Sequence, residues 1–189
     1  RRRAAVRALT IRHPYSYAII QWNWGKLVEN RSRNIAGSYR GPVAIHQAVH
    51  EAHVTGPDVD LITYCLDADE EQRQSMAQRS AWVARGEVIG VVDLVDVHHA
   101  TDCYDADTKR LTALYNSGPE GRREVEGMPD NGCGGIIGKA RFCSLWAHDE
   151  MFHLVFANPR LIVYPVPVRG QLGLWTLPDD VEQAVRRQL

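Results

Sequence analysis

The stretch Val88–Val97 reads V-I-G-V-V-D-L-V-D-V, with apolar residues running almost without alternation. A strand with one wet face alternates apolar and polar side chains. A nearly continuous apolar run is buried on both faces. Any fold of this chain must therefore cover this strand from two sides.

The other elements are shorter. Ala8–Ile11 reads as a strand that ends at His13–Pro14, after which Tyr15, Ala18, Ile19 and Trp22 recur at helical spacing. Gly25 is placed to stop that helix in a left-handed conformation. An extended segment Lys26–Arg31, a polar loop Ser32–Ser38 and a strand Gly41–Gln47 follow. Residues 58–85 carry a helical pattern with Leu61, Ile62, Cys65, Met76 and Trp82 as core candidates. The region 100–140 is polar and Gly-rich, with a short helix expected near Thr108–Tyr115 inside a long excursion. Met151–Ala157, Pro159–Val168 (Pro165 and Pro167 marking an edge) and Leu172–Thr176 read as further extended segments. Pro178 opens a last helix with acids in its first turns and Arg186 and Arg187 in its last, matching the helix dipole. Short strands mixed with helices outside strict βαβ alternation predict an α+β domain on a small curled sheet or barrel. The expected organisation is one domain over 1–189, with a basic arm at 1–7, an insertion at about 100–140 and a C-terminal helix at about 178–189.

The net charge of −1 hides a segregation. Residues 1–40 hold nine basic residues and one acid, Glu29, whereas 41–110 hold five basic and thirteen acidic residues. A chain neutral only in total can still present one positive surface fit for a phosphate backbone. No run approaches the apolar length of a bilayer span, no signal-peptide pattern opens the chain, and Cys65, Cys103, Cys133 and Cys143 form no C-x-x-C pair. The expectation is a cytoplasmic protein with free thiols and no membrane partner. Cys143, His148 and His153 are evenly spaced but match no zinc module, so no metal and no cofactor are expected.

Lys26, Glu29 and Arg31 are the candidate chemistry. In a regular strand Lys26 points away from the other two, so all three meet only if the chain bends near 26–28. Together they could read a base edge: Glu29 accepts from an exocyclic amine, Arg31 forks onto a phosphate or carbonyl, and Lys26 supplies a point charge. Lys26 and Glu29 could also shuttle protons in a hydrolase. The bland alternative is a set of surface ion pairs. Around them, His13, Ser16, Tyr39 and Arg40 are candidate lining or phosphate-contacting residues, with capping of the helix as the other role for His13. Tyr15 reads as core from its spacing. Asp93 and Asp96, an odd number of residues apart, are expected on opposite faces and paired with arginines of the basic segment, while Asp96 and His98 share a face. The glycine run at 132–138 lacks the strand and helix of a dinucleotide loop. Arg169–Gly170 and Trp175 read as structural.

The ordered motifs A-L-T-I-R-H-P-Y (8–15), K-L-V-E-N-R (26–31), Y-R-G-P-V-A-I-H (39–46), G-V-V-D-L-V-D (90–96) and P-V-P-V-R-G-Q-L-G-L-W (165–175) resemble the ASCH family. The resemblance implies a PUA-like fold, a small mixed β-barrel with surrounding helices, among relatives that bind RNA or DNA and hold flipped or modified bases. The family signature is G-x-K-x-x-E-x-R. Lys26, Glu29 and Arg31 match it, and Trp24 replaces the first glycine, where it can wall the cleft or close it. The resemblance also implies enzymatic alternatives. Some similar proteins hydrolyse acylated cytidine using the motif lysine and a threonine three residues on, a position held here by Glu29; others are ribonucleases. The leading expectation is a non-catalytic binder of single-stranded RNA or DNA, with or without base modification. A nucleic-acid or nucleoside hydrolase and a protein-interaction module are the alternatives.

Overall fold

The computed structural model describes residues 6–56, 58–69, 75–103, 144 and 146–189, with backbone alone for Trp22, Ala68, Asp69 and Cys103. Residues 1–5, the helix expected at Thr108–Tyr115, the glycine run at 132–138 and Cys143 lie outside them.

Six strands form one sheet: β1 (Arg7–Ile11), β2 (Val28–Arg31), β3 (Gly41–Gln47), β4 (Glu87–His99), β5 (Phe152–Pro167) and β6 (Leu174–Thr176). Their order is β2-β5-β4-β3-β1-β6, antiparallel except where β1 runs parallel to β3. Among the described residues four helices accompany it: α1 (Tyr15–Ile20), α2 (Asp58–Asp69), α3 (Met76–Val83) and α4 (Asp179–Arg186). This is a mixed α+β architecture on a curled half-barrel. No helix among the described residues is long and apolar enough to cross a membrane.

The apolar run in β4 is buried on both sides from Val88 to Leu94, whereas Val95 is exposed and Val97 half-buried. Ile89, Val92 and Leu94 join the larger core, with Tyr17, Ile19, Trp24 and Phe156. Val88 and Val91 join a second core closed by Trp175 and by Val181 and Val185 of α4. Neighbouring β4 residues serve different cores because side chains alternate along a strand, and the extra residue Ile89, where Ile45 pairs with Gly90 and His46 with Val88, brings Val88 and Val91 to the same one. The segments expected as two strands around Asn158 are one, β5, which carries an irregularity there. Asn158 takes the left-handed conformation (φ 51°) that its short polar side chain tolerates. Beyond the part paired with β2, Gln188 substitutes for a neighbouring strand: its amide donates to the Tyr164 carbonyl at 2.9 Å and accepts from the Tyr164 N–H at 2.8 Å.

Several local expectations change. The first helix gives way at Gln21 to a 3-10 turn over Trp22–Trp24, because Gln21 is extended (ψ 101°). The helical pattern of 58–85 is two helices, the second started by a Ser75 capping box with Gln78. Leu61, Ile62 and Cys65 are buried, but Met76, at the start of that helix, is exposed. Cys65 is disulfide-bonded rather than a free thiol. Gly170 and Trp175 are structural as expected. A Cβ on Gly170 would stand 2.5 Å from His46 Cε1, and Trp175 is buried with its indole N–H on Thr10 Oγ1.

Candidate functional site

The bend that the trio requires is present. Gly25 sits at φ 63°, and the Leu27 N–H donates to the Gly25 carbonyl at 2.9 Å, closing a three-residue turn over Lys26. Lys26 thereby folds back onto β2. Its ammonium donates to the Val28 carbonyl at 2.5 Å and to Glu29 Oε2 at 3.2 Å. It also stands 5.4 Å from the centre of the Tyr15 ring and 5.8 Å from that of Trp146. With 2% exposure it is a buried cation held by a carboxylate, a carbonyl and two rings, not one member of a surface cluster.

Glu29 and Arg31 alternate onto the same face of β2, opposite Leu154 and Phe152. Arg31 Nη2 lies 3.1 Å from Glu29 Oε1 and donates to the Thr10 carbonyl at 3.2 Å. Each Glu29 oxygen therefore faces one cation. Thr10 belongs to β1, fifth in the sheet order, while Arg31 belongs to β2, first in it. One side chain spans them because the sheet curls, so the trio sits at the mouth of the half-barrel. Arg12 and Arg33 follow Thr10 and Arg31 by two residues in sequence. Both are exposed, and among the described residues neither pairs with a carboxylate.

A second polar chain supports this site from behind. The Tyr15 hydroxyl donates to Asp58 Oδ2 at 2.8 Å, and Asp58 Oδ1 lies 3.0 Å from His148 Nε2. Burial pushes the Asp58 carboxyl up, but the hydrogen bonds from His148 and Tyr15 and the charges of His148 and Lys26 outweigh it and leave the pKa below the ordinary value. Burial, followed by the bond to Asp58, raises the Tyr15 phenol. Asn30 points to the other side of β2 and ties down the chain around Trp146. Its amide donates to the Trp146 carbonyl at 2.8 Å, and its Oδ1 accepts from the His148 N–H at 2.9 Å. The Trp146 indole N–H reaches the Trp24 carbonyl at 3.3 Å.

The remaining sequence candidates are elsewhere. His13 and Ser16 are buried around Gln47, with His13 Nδ1 at 3.4 Å and the Ser16 hydroxyl donating at 2.6 Å to Gln47 Oε1. His13 neither caps α1 nor lines the mouth; it stands edge-on to Trp82. Trp24 neither walls nor closes the cleft, because it is wholly buried in the core. The Tyr39 hydroxyl donates to the Pro42 carbonyl at 2.8 Å while the Arg7 guanidinium lies over its ring. Arg40 donates to the Gly37 and Tyr39 carbonyls and approaches Asp96 at 3.9 Å. Among the described residues, neither Tyr39 nor Arg40 hydrogen-bonds or ion-pairs with the trio. Asp58, Trp146, His148 and Asn30 were not foreseen at the site. The one sequence signal was Asp58 at a helix start; its distance in sequence from Tyr15 hid the contact.

Asp93 and Asp96 do not take opposite faces. They pair with Ala157 and Val155, two residues apart on β5, because Val95 is an extra residue in β4. Asp93 binds Arg160, outside the basic segment, at 2.6 Å, whereas Asp96 meets Arg40 of that segment at 3.9 Å and pairs with His98 at 2.7 Å. Cys143 is not described, and among the described residues no three His, Cys, Asp or Glu side chains gather to hold a metal.

Compared with known proteins, the chain matches no family model and no curated protein sequence.

Proposed function

We propose that this chain is an ASCH-type, PUA-like protein that binds nucleic acid, RNA or DNA, through the positive rim of the half-barrel. In this reading one base enters the mouth beside Glu29. The observation that carries it is the carboxylate of Glu29, held between Lys26 and Arg31 and 12% exposed. Such a group is fixed in direction before a ligand arrives, so binding does not have to order it. Arg12, Arg33 and the 29%-exposed Arg31 supply phosphate contacts around it. Tyr15, half-buried at the same place, offers a ring edge or face to a base.

The test is an equilibrium binding screen of single-stranded RNA, single-stranded DNA and duplex DNA at rising salt. The expected result is tight binding at low salt that weakens steeply, because each phosphate contact releases counterions. Absence of binding to every oligonucleotide at low salt defeats the proposal.

A second reading has its own support. The Lys26 ammonium touches the Glu29 carboxylate at 3.2 Å, the arrangement a hydrolase of nucleic acid or of a modified nucleoside would use to move a proton. Turnover of an acylated nucleoside or of RNA that vanishes in Glu29→Gln would select it over simple binding.

A further inference from the structure

Resting on the base-pocket reading above, we infer that the pocket selects bases carrying an exocyclic amine (adenine, cytosine or guanine) over thymine and uracil. The three members of the trio are unequal as partners for a ligand. Lys26 gives two of its three ammonium donors to Val28 and Glu29, and at 2% exposure burial keeps the third from a base. Glu29 is the reachable acceptor. A carboxylate has about four acceptor positions, so one cation on each oxygen leaves each oxygen able to accept again. Arg31 uses Nη2 on Glu29 and on the Thr10 carbonyl, which leaves Nη1 as the donor beside that acceptor.

An incoming base edge therefore meets an acceptor next to a donor. Adenine and cytosine present the complement: an amine N–H beside a ring-nitrogen acceptor. Guanine presents N–H donors beside its O6. Thymine and uracil put a carbonyl oxygen where the amine would stand, oxygen against carboxylate. Their single ring N–H lies between two carbonyls. One can face Arg31, while the other needs a donor on the far side of Glu29, where the cation among the described residues is the buried Lys26. The selection thus follows from which of the two cations is accessible. Losing one hydrogen bond to a charged group weakens binding about tenfold to hundredfold.

The experiment measures binding of equal-length labelled oligo-dC, oligo-dA and oligo-dT to the full chain at low salt. It adds an oligo-dC analogue whose amine is N,N-dimethylated, and repeats the series with Glu29→Gln. The expected result is oligo-dC and oligo-dA bound at least about tenfold more tightly than oligo-dT, with the dimethylated strand falling to the oligo-dT level. Glutamine carries both a donor and an acceptor, so Glu29→Gln should bring oligo-dC and oligo-dT within about threefold of each other. Equal binding of all strands by the wild type overturns the selectivity and leaves the nucleic-acid reading standing. A preference that survives Glu29→Gln, or that ignores dimethylation, places the selection elsewhere and also overturns it. Absence of any binding defeats both. The dimethylated strand needs no variant, so the inference stays open to refutation if Glu29→Gln does not fold.

Discussion

The sheet carries two charged regions on opposite faces, and they treat their acids differently. At the mouth, one carboxylate, Glu29, sits between two cations, and one of these, Lys26, is buried. On the other face, Asp93 is matched by Arg160 and Asn158, and Asp96 by His98 with Arg40 at 3.9 Å. There each acid has partners of its own. At the trio, instead, two cations share the one carboxylate of Glu29. Pairing one to one holds a fold together. A surplus around a single oriented acceptor leaves something for a ligand to satisfy.

The strongest way to break this contrast is Lys26→Met. It removes the buried ammonium while roughly keeping its volume, leaving Glu29 and the Val28 carbonyl short of a partner. The expected cost is about 3–5 kcal/mol, seen as a lower midpoint in urea unfolding. A loss as small as that of a surface pair would mean the mouth is no different from the other face.

Asp58→Ala comes next, since Tyr15 and His148 both lose their partner; about 1–3 kcal/mol is expected at neutral pH. The sign with pH is fixed by the depressed pKa of Asp58. Its contribution is complete above the unfolded value of 3.8 and is lost as pH falls through the lower folded value. Chemical denaturation across that window should therefore show the gap between wild type and Asp58→Ala closing at acid pH.

Arg12→Ala and Arg33→Ala sharpen the contrast from the side of function. Each should change stability by no more than about 0.5 kcal/mol and lower the slope of log affinity against log salt by about one. The smallest effect on binding is expected from Asp96→Asn. Its side chain is 28% exposed, so the solvent-screened pair should cost about 1 kcal/mol or less and leave oligonucleotide binding unchanged.

Much of the frame was legible in the residues. The nearly continuous apolar run of β4 required two cores, and the described residues form two. Gly41–Gln47 emerged with the bounds its pattern gave, and Gly25 was placed where the chain had to turn. The site was legible only in part. Lys26, Glu29 and Arg31 stood out by charge and spacing, whereas Asp58, Trp146 and His148 come from distant segments that no local pattern connects. His13, Ser16 and Trp24 were misplaced for the converse reason. A polar or aromatic residue near a motif looks like lining until packing decides which side it faces, and these three face inward.

The sequence by itself determined which segments could be strands, that one of them had to be buried on both sides, and that a lone acid stood among nine basic residues. These follow from local periodicity and from residue chemistry. Tertiary structure decided which acid meets which cation. The extra residue at Val95 put Asp93 and Asp96 on one face against the parity of their spacing. The curl of the sheet brought Arg31 to Thr10, and the turn over Lys26 buried one cation while leaving the other at the rim. Bulges and curvature accumulate from pairings between distant strands, so a linear pattern does not encode them residue by residue.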